Sequence, residues 1–310
     1  MDEISKDQAE FVREVFLVPE DFSHTAASLL TVTGRITEPH RITSLSFLDS
    51  LKGMMRTLSM PFDFAYTEVH GLHWQRILMA ERIRSLGHEN EAEREDVALA
   101  KAKAKLKKFL AEDDGAVLRE QLLARLHRLA SSEESLATAR ELTRQGIVLM
   151  WSAFEVLARD IFVRLLNEKP QLSERLFAHP NTRKRFSGEK VDWQTLASYS
   201  YDLSSSMGTL FAQRADLDDI QTIRETYGAL FPDAAEMARA LGDERLWTLF
   251  QKRNLIVHRR GIVDRQYLDK TGAPQPVGTQ LVVTPGDVES LLAAVLLAGE
   301  QIIEVVANDG

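Results

Sequence analysis

Three polar side chains interrupt an apolar stretch of the sequence at residues 249–264. Arg253, Asn254 and His258 lie among leucine, isoleucine, valine and phenylalanine residues, a composition that is otherwise typical of a buried helix. A histidine transfers protons near neutral pH, and a guanidinium binds a phosphate and offsets negative charge on its oxygens. This pair suits RNA cleavage in which the 2′-hydroxyl attacks the adjacent phosphate, because that reaction needs proton transfer but no metal. We expect Asn254 to orient His258 or to bind the ribose.

The spacing of these residues decides which of them meet on a helix. Asn254 and His258 are four positions apart and therefore share one face. Arg253 and His258 are five positions apart, which separates them by about 140° around the helix axis. They converge on one phosphate only if two copies of the helix cross at a dimer interface, or if the helix loosens near His258.

The elements that must hold this motif are predicted to be helices. Asp243 is a good N-cap for the motif helix, and residues 284–287 form a capping sequence for a last apolar helix. An earlier helix begins after Ser131 and Ser132 and runs through an apolar stretch to about Pro170. We therefore predict a mainly α protein in which residues 131–310 form a helical bundle. It is expected to include a loop-rich segment at 171–215 and a short β-hairpin-like insert with a strand at 280–284.

Residues 1–130 are predicted to form a separate region of unknown role. Residues 12–18 and 29–37 look like strands, so the first part of this region is expected to be mixed or partly extended. From about Trp74 the pattern becomes helical. Adjacent acidic and basic blocks at 89–96 and 101–108 indicate a long solvated helix with pairs of opposite charge four residues apart.

The segment from Arg253 to His258 resembles the R-x4-6-H motif of the HEPN superfamily, in the form with Asn directly after Arg. The wider run RNLIVHRRGIVDRQYL, followed by a Gly-containing hairpin and a last helix, resembles bacterial defence or toxin-type HEPN proteins. The helix MWSAFEVLARDIFVRLL is similar to their first long helix, which carries an acidic residue, here Glu155. The resemblance covers roughly residues 135–308.

The resemblance implies an all-α homodimer in which both motifs line one cleft. It also implies a metal-independent endoribonuclease that acts as a toxin or an anti-phage effector, with catalytic Arg253, Asn254 and His258 and a supporting Glu155. The alternative that it implies is a catalytically inactive module that binds a nucleotide, RNA or a protein. Some HEPN toxins are paired with an antitoxin, so an antitoxin or regulatory partner is a further expectation.

Two readings of the surrounding charges stay open at this point. In a purely structural interpretation, Arg253 forms a salt bridge with Glu155 or Asp160. In the same interpretation, His258 caps a helix end or lies in the core. Six further basic residues have two interpretations: they form a basic rim that binds RNA, or they are ordinary surface charges. The six residues are Lys252, Arg259, Arg260, Arg183, Lys184 and Arg185.

The composition narrows the class of protein further. The 310 residues carry a net charge of −8 and include no cysteine, so thiolate zinc sites, iron–sulfur clusters and cysteine nucleophiles are excluded. An acidic chain is expected to contact RNA only through a local basic patch. We see no uncharged span of membrane length and no signal sequence, and therefore expect a cytoplasmic protein without membrane contact. We expect no cofactor and no metal, since His70 and His73 have only Glu68 nearby as a third ligand.

Overall fold

The computed structural model describes residues 6–19, 21–87, 90–111, 115–187 and 191–308. These residues are mainly helical, which confirms the predicted fold class at that level. The helices are α1 (Lys6–Val15), α2 (Phe22–Thr25), α3 (Ala27–Thr33), α4 (His40–Arg84), α5 (Glu91–Ala111), α6 (Ala116–Ala130), α7 (Glu133–Glu168), α8 (Ser173–Ala178), α9 (Pro180–Phe186), α10 (Trp193–Ser198), α11 (Met207–Arg214), α12 (Ile220–Leu230), α13 (Ala235–Leu241), α14 (Glu244–Arg259), α15 (Arg265–Thr271) and α16 (Pro285–Asn308).

The strands predicted near the N-terminus are wrong, because both segments are largely helical. Most of the first strand-like stretch belongs to α1, and most of the second belongs to α3. Leu29, Val32 and Thr33 are buried in α3, and their spacing of three and four residues is that of a helix face. β-branched residues raise strand propensity only weakly, and packing of this face overrides it.

The chain divides into two compact units that do not coincide with the predicted ranges 1–130 and 131–310. One unit contains Met1–Pro19 and Arg56–Leu142, and the other contains Glu20–Met55 and Thr143–Gly310. Helices α4 and α7 each contribute residues to both units. The difference arises because α3 packs against α16, and Phe47 at the start of α4 contacts α16 at Gly299.

The first unit is built around α1, α6 and the later part of α4. Val12 and Phe16 belong to the same buried cluster as Leu122 and Leu126. The predicted acidic and basic blocks lie on one helix, α5, from Glu91 onward, and the helical stretch from Trp74 ends in α4 at a turn before α5. Its charges also pair between helices, since Lys105 Nζ lies 2.5 Å from Glu81 Oε1. The Glu81 side chain is only 2% exposed.

In the first unit, the two histidines considered as metal ligands have other contacts. His73 Nε2 lies 2.6 Å from Gln121 Oε1, and the ring stacks on Phe109. His70 stacks on Tyr66. No group of three metal-ligating side chains occurs in the residues that the structure describes.

The second unit has the apolar parts of α7 and α16 at its centre. Trp151 and Phe162 of α7 are fully buried. A Cβ on Gly299 of α16 would lie 2.6 Å from Phe47 Cε1 and 3.1 Å from Leu157 Cδ2, so this glycine permits close packing. Helix α16 is long and apolar enough to cross a membrane by length and composition, and 56% of its most apolar window is buried.

The loop-rich segment and the hairpin insert differ from their predictions. Between α7 and α12 the described residues form a 3-10 turn at Pro170–Leu172 and four short α-helices, α8–α11. The hairpin-like insert consists of a single antiparallel bridge between Ile262 and Gln280 within the described residues. Pro274 and Pro276 lie in the returning segment and cannot donate backbone hydrogen bonds, which disfavours a longer ladder.

Two predicted helix starts are confirmed in detail. The Asp243 carboxylate accepts a hydrogen bond from Arg245 N at the start of α14. At the start of α16, Asp287 N donates to Thr284 Oγ1 at 3.1 Å and Thr284 N donates to Asp287 Oδ2 at 3.0 Å. These reciprocal bonds form the capping box that the sequence predicts.

Candidate functional site

The motif helix α14 is held by its apolar residues and ends where the backbone turns left-handed. Leu246, Leu249 and Leu255 are buried. Arg260 has φ of 54° and Gly261 has φ of 72°, and the Gly261 N–H donates to Leu255 O at 3.0 Å. This left-handed C-terminal turn places His258 in the last turn of the helix, where its side chain is exposed.

One side of α14 faces α7 and includes Arg253. The rings of Phe250 and Trp151 lie with centroids 4.9 Å apart, and Trp151 Nε1 donates to Glu155 Oε2 at 3.0 Å. Burial raises the pKa of Glu155 above its ordinary value, and the positive charge of Arg253 partly opposes this rise. The predicted link between Arg253 and Glu155 is therefore electrostatic, and no ion pair within 4.0 Å joins them in the described residues.

The Arg253 guanidinium is only partly satisfied. Its Nη1 donates to Asn254 Oδ1 at 3.0 Å. Its Nε is buried and has no hydrogen-bond partner among the residues that the structure describes. Because Asn254 uses its oxygen to accept from Arg253, its two amide hydrogens are left for other acceptors.

The other side of α14 lines a pocket of about 400 Å³ against α15. We call it the α14–α15 pocket. Asn254 and His258 both line it, in agreement with their spacing of four residues, and Arg253 is not among the lining residues. The lining residues are Gln251, Asn254, Leu255, His258, Arg259, Asp264, Gln266, Tyr267 and Lys270. A single chain thus brings two of the three predicted catalytic residues together, and Asn254 is the residue that connects Arg253 to the pocket.

The basic residues of the motif helix have different environments. Lys252 is buried, and its Nζ lies 3.3 Å from Asp287 Oδ2, so it belongs to the packing of α14 and α16. Arg259 Nε lies 3.5 Å from Asp264 Oδ2 and remains exposed. Arg260 is exposed at the helix end. The structure therefore removes Lys252 from the predicted RNA-binding rim, and Arg259 and Arg260 retain access to solvent.

The three basic residues of α9 also divide into different roles. Arg185 contacts Thr222, and its Nη2 lies 3.2 Å from Glu225 Oε2. This residue is half-buried and braces α9 against α12. Arg183 donates through Nε to Phe177 O at 2.6 Å and is exposed, as is Lys184. Arg183 and Lys184 are thus the members of this group that solvent reaches.

Sequence reasoning missed Gln251, Gln266 and Lys270 as pocket residues. Gln251 carried a usable signal, since it precedes Asn254 by three and His258 by seven positions and so lies on the same helix face. Gln266 and Lys270 carried none, because the position of α15 against α14 depends on the turn at Gly261 and on tertiary packing.

The chain matches no protein-family model, no curated protein and no solved structure. The resemblance to HEPN proteins therefore stays a prediction based on the residues of the motif and the helices around it.

Proposed function

We propose that this protein is a metal-independent endoribonuclease that cleaves RNA through the 2′-hydroxyl. The proposal is supported above all by His258, whose exposed imidazole lines the α14–α15 pocket beside the amide of Asn254. An exposed imidazole with no described hydrogen-bond partner is able to exchange protons with a bound substrate.

The reaction forms a bond between the 2′-oxygen and phosphorus and breaks the bond between phosphorus and the 5′-oxygen. The 2′-hydroxyl loses a proton to a base, and the leaving 5′-oxygen gains a proton from an acid. The products are a 2′,3′-cyclic phosphate and a 5′-hydroxyl. His258 supplies one of these proton transfers, and Arg253 stabilises the negative charge that grows on the phosphate.

In the proposed dimer, Arg253 of one subunit contacts the RNA bound beside His258 of the other subunit. Arg253 lies on the α7 side of α14 and His258 on the α15 side. A homodimer in which two α14 helices cross would bring the guanidinium of one subunit to the imidazole of the other. Exposed Arg183, Lys184, Arg259 and Arg260 would supply local positive charge for RNA on an acidic protein.

The proposed biological role is that of a cytoplasmic toxin or anti-phage effector, controlled by an antitoxin or another regulatory protein. This role follows from the resemblance of the motif to HEPN proteins. A cleaving enzyme of this kind needs restraint in the cell that produces it, and a protein partner is the expected means.

A second candidate function is a catalytically inactive module that binds a nucleotide, RNA or a protein. The contacts of Arg253 favour this alternative, because its Nη1 donates to Asn254 Oδ1 and its charge acts on half-buried Glu155. An arginine engaged in this way stabilises helix packing without any substrate.

RNA cleavage in excess chelator tests the proposed function. We expect cleavage with 2′,3′-cyclic phosphate ends, and a loss of about 10²-fold or more in His258→Ala, the usual range for a proton-transfer group. His179→Ala is the matched control, since His179 is exposed in the same unit and lies outside the pocket. Equal activity in His258→Ala and wild type would contradict the proposal, as would products without cyclic ends.

A further inference from the structure

The α14–α15 pocket contains a buried donor that lacks an acceptor. Gln251 is 4% exposed and lines the pocket, and its Nε2 has no hydrogen-bond partner in the part of the chain that the structure describes. Buried polar groups are nearly always hydrogen-bonded, and a buried group left without a partner destabilises the fold. Because the Nε2 atom is out of contact with solvent, a ligand acceptor in the pocket would satisfy the Gln251 amide once the side chain turns toward the pocket.

The same pocket has one cation without a counter-ion. Lys270 lines the pocket and is exposed, and its Nζ makes no ion pair with any described residue. Its backbone is fixed by Trp247, whose Nε1 donates to Lys270 O at 3.2 Å. The charge of Arg259 is offset by Asp264 at 3.5 Å. The net positive charge of the pocket therefore comes from Lys270.

The remaining groups define the chemistry of the ligand. Gln251, Asn254, Gln266 and Lys270 line the pocket and carry N–H donors, and the Asn254 oxygen already accepts from Arg253. A pocket with several donors and one positive charge suits an anion that carries further acceptors. A volume of about 400 Å³ is within the range of small-molecule sites, and inorganic phosphate alone would leave most of it to water.

We propose that the α14–α15 pocket binds one nucleoside monophosphate unit, with Gln251 donating to an acceptor of the nucleotide and Lys270 binding its phosphate. The proposal deepens the ribonuclease function and rests on it for the identification of the ligand as part of an RNA chain. Gln251 and Lys270 then select and position the nucleotide beside His258.

Calorimetric titration with the four nucleoside 3′-monophosphates and with inorganic phosphate tests this site. We expect at least one nucleotide to bind wild type more tightly than phosphate does. Gln251→Leu should weaken that nucleotide about tenfold, as expected for the loss of one hydrogen bond, and should also raise the melting temperature, because it removes an unsatisfied buried donor. This opposite effect on binding and stability separates a ligand-binding role from a structural role.

Substitutions on α15 provide the second arm and its control. Lys270→Gln should weaken the nucleotide and phosphate alike, whereas Arg265→Gln should leave both affinities unchanged. Arg265 is exposed on the same helix and does not line the pocket. The Lys270 variant also keeps the test valid if Gln251→Leu fails to fold, since Lys270 lies at the surface.

The outcomes separate this site from the nuclease activity. Phosphate binding as tight as every nucleotide, or nucleotide affinity unchanged in both pocket variants, would overturn the nucleotide site even if RNA is cleaved. Nucleotide binding that is lost in both variants supports the site, and it would do so even if wild type cleaved no RNA. Nucleotide binding without any RNA cleavage by wild type would overturn the proposed nuclease and favour the inactive binding module.

Discussion

Glu155 is the residue at which burial and charge compete most directly near the candidate site. Its carboxylate accepts from Trp151 Nε1 at 3.0 Å, and the charge of Arg253 favours its ionised form. Burial has the larger effect and raises the pKa. Sequence reasoning identified Glu155 beside the motif from a resemblance, and the structure shows that it is half-buried and bonded to Trp151.

The raised pKa predicts a pH dependence of stability. The folded state binds the Glu155 proton more tightly than the unfolded chain, whose value is about 4.5. The stabilising contribution of this group is therefore full below pH 4.5 and is lost as the pH rises through the folded-state pKa. Glu155→Gln removes the titration, so the variant should gain stability relative to wild type between pH 4.5 and neutral pH.

Urea denaturation of both proteins at a series of pH values measures this difference. Glutamine keeps an oxygen that accepts from Trp151, so the loss of a hydrogen bond does not confuse the comparison. A control substitution of exposed Glu174 shows whether the loss of any carboxylate gives the same trend. A stability difference between Glu155→Gln and wild type that stays constant with pH would contradict the prediction.

The packing of helix α11 on helix α7 depends on two residues that no sequence pattern identifies. Asn167 of α7 accepts through Oδ1 from Gly208 N at 2.8 Å and Thr209 N at 3.2 Å, and thereby satisfies the start of α11. A Cβ on Gly208 would lie 2.1 Å from Val163 O. Glycine is required here because the two backbones approach closely.

Two glycine substitutions test this packing with opposite expected signs. Gly208→Ala should lower the free energy of unfolding by about 3 kcal/mol, the upper end of typical overpacking costs. Gly228→Ala in α12 should raise it by about 0.5–1 kcal/mol, because a Cβ there meets no atom within 4 Å and alanine favours the helix. Chemical denaturation measures both, and equal effects would contradict the close approach of α11 to α7.

The proposed active site requires two chains. Arg253 and His258 lie on different sides of α14 in one chain, so the proposed composite site combines Arg253 of one subunit with His258 of the other. Such sites permit complementation between two inactive variants.

Mixing Arg253→Ala with His258→Ala tests this arrangement. After subunit exchange about half of the dimers are mixed, and each mixed dimer has one complete site, so RNA cleavage should return to about a quarter of wild type. Each variant alone is expected to be inactive under the same conditions. Activity that stays at background in the mixture, with exchange verified by mass, would show that both groups act within one subunit.

Helices with strong local signals are predictable from the sequence alone. Asp243 and the pair Thr284–Asp287 carry side chains that satisfy helix N-termini, so α14 and α16 begin where their capping residues predict. The spacing of Asn254 and His258 likewise placed both on one face, because helix geometry depends only on the local chain.

Features that depend on distant residues follow only from how the helices pack. Helix α3 forms in a strand-like sequence because its apolar face is buried. Lys252 does not belong to the predicted basic rim, because it pairs with Asp287 of α16. The α14–α15 pocket acquires Lys270 only through the packing of α15. Local sequence determines which faces a helix presents, whereas long-range packing determines what each face meets and which polar groups remain free.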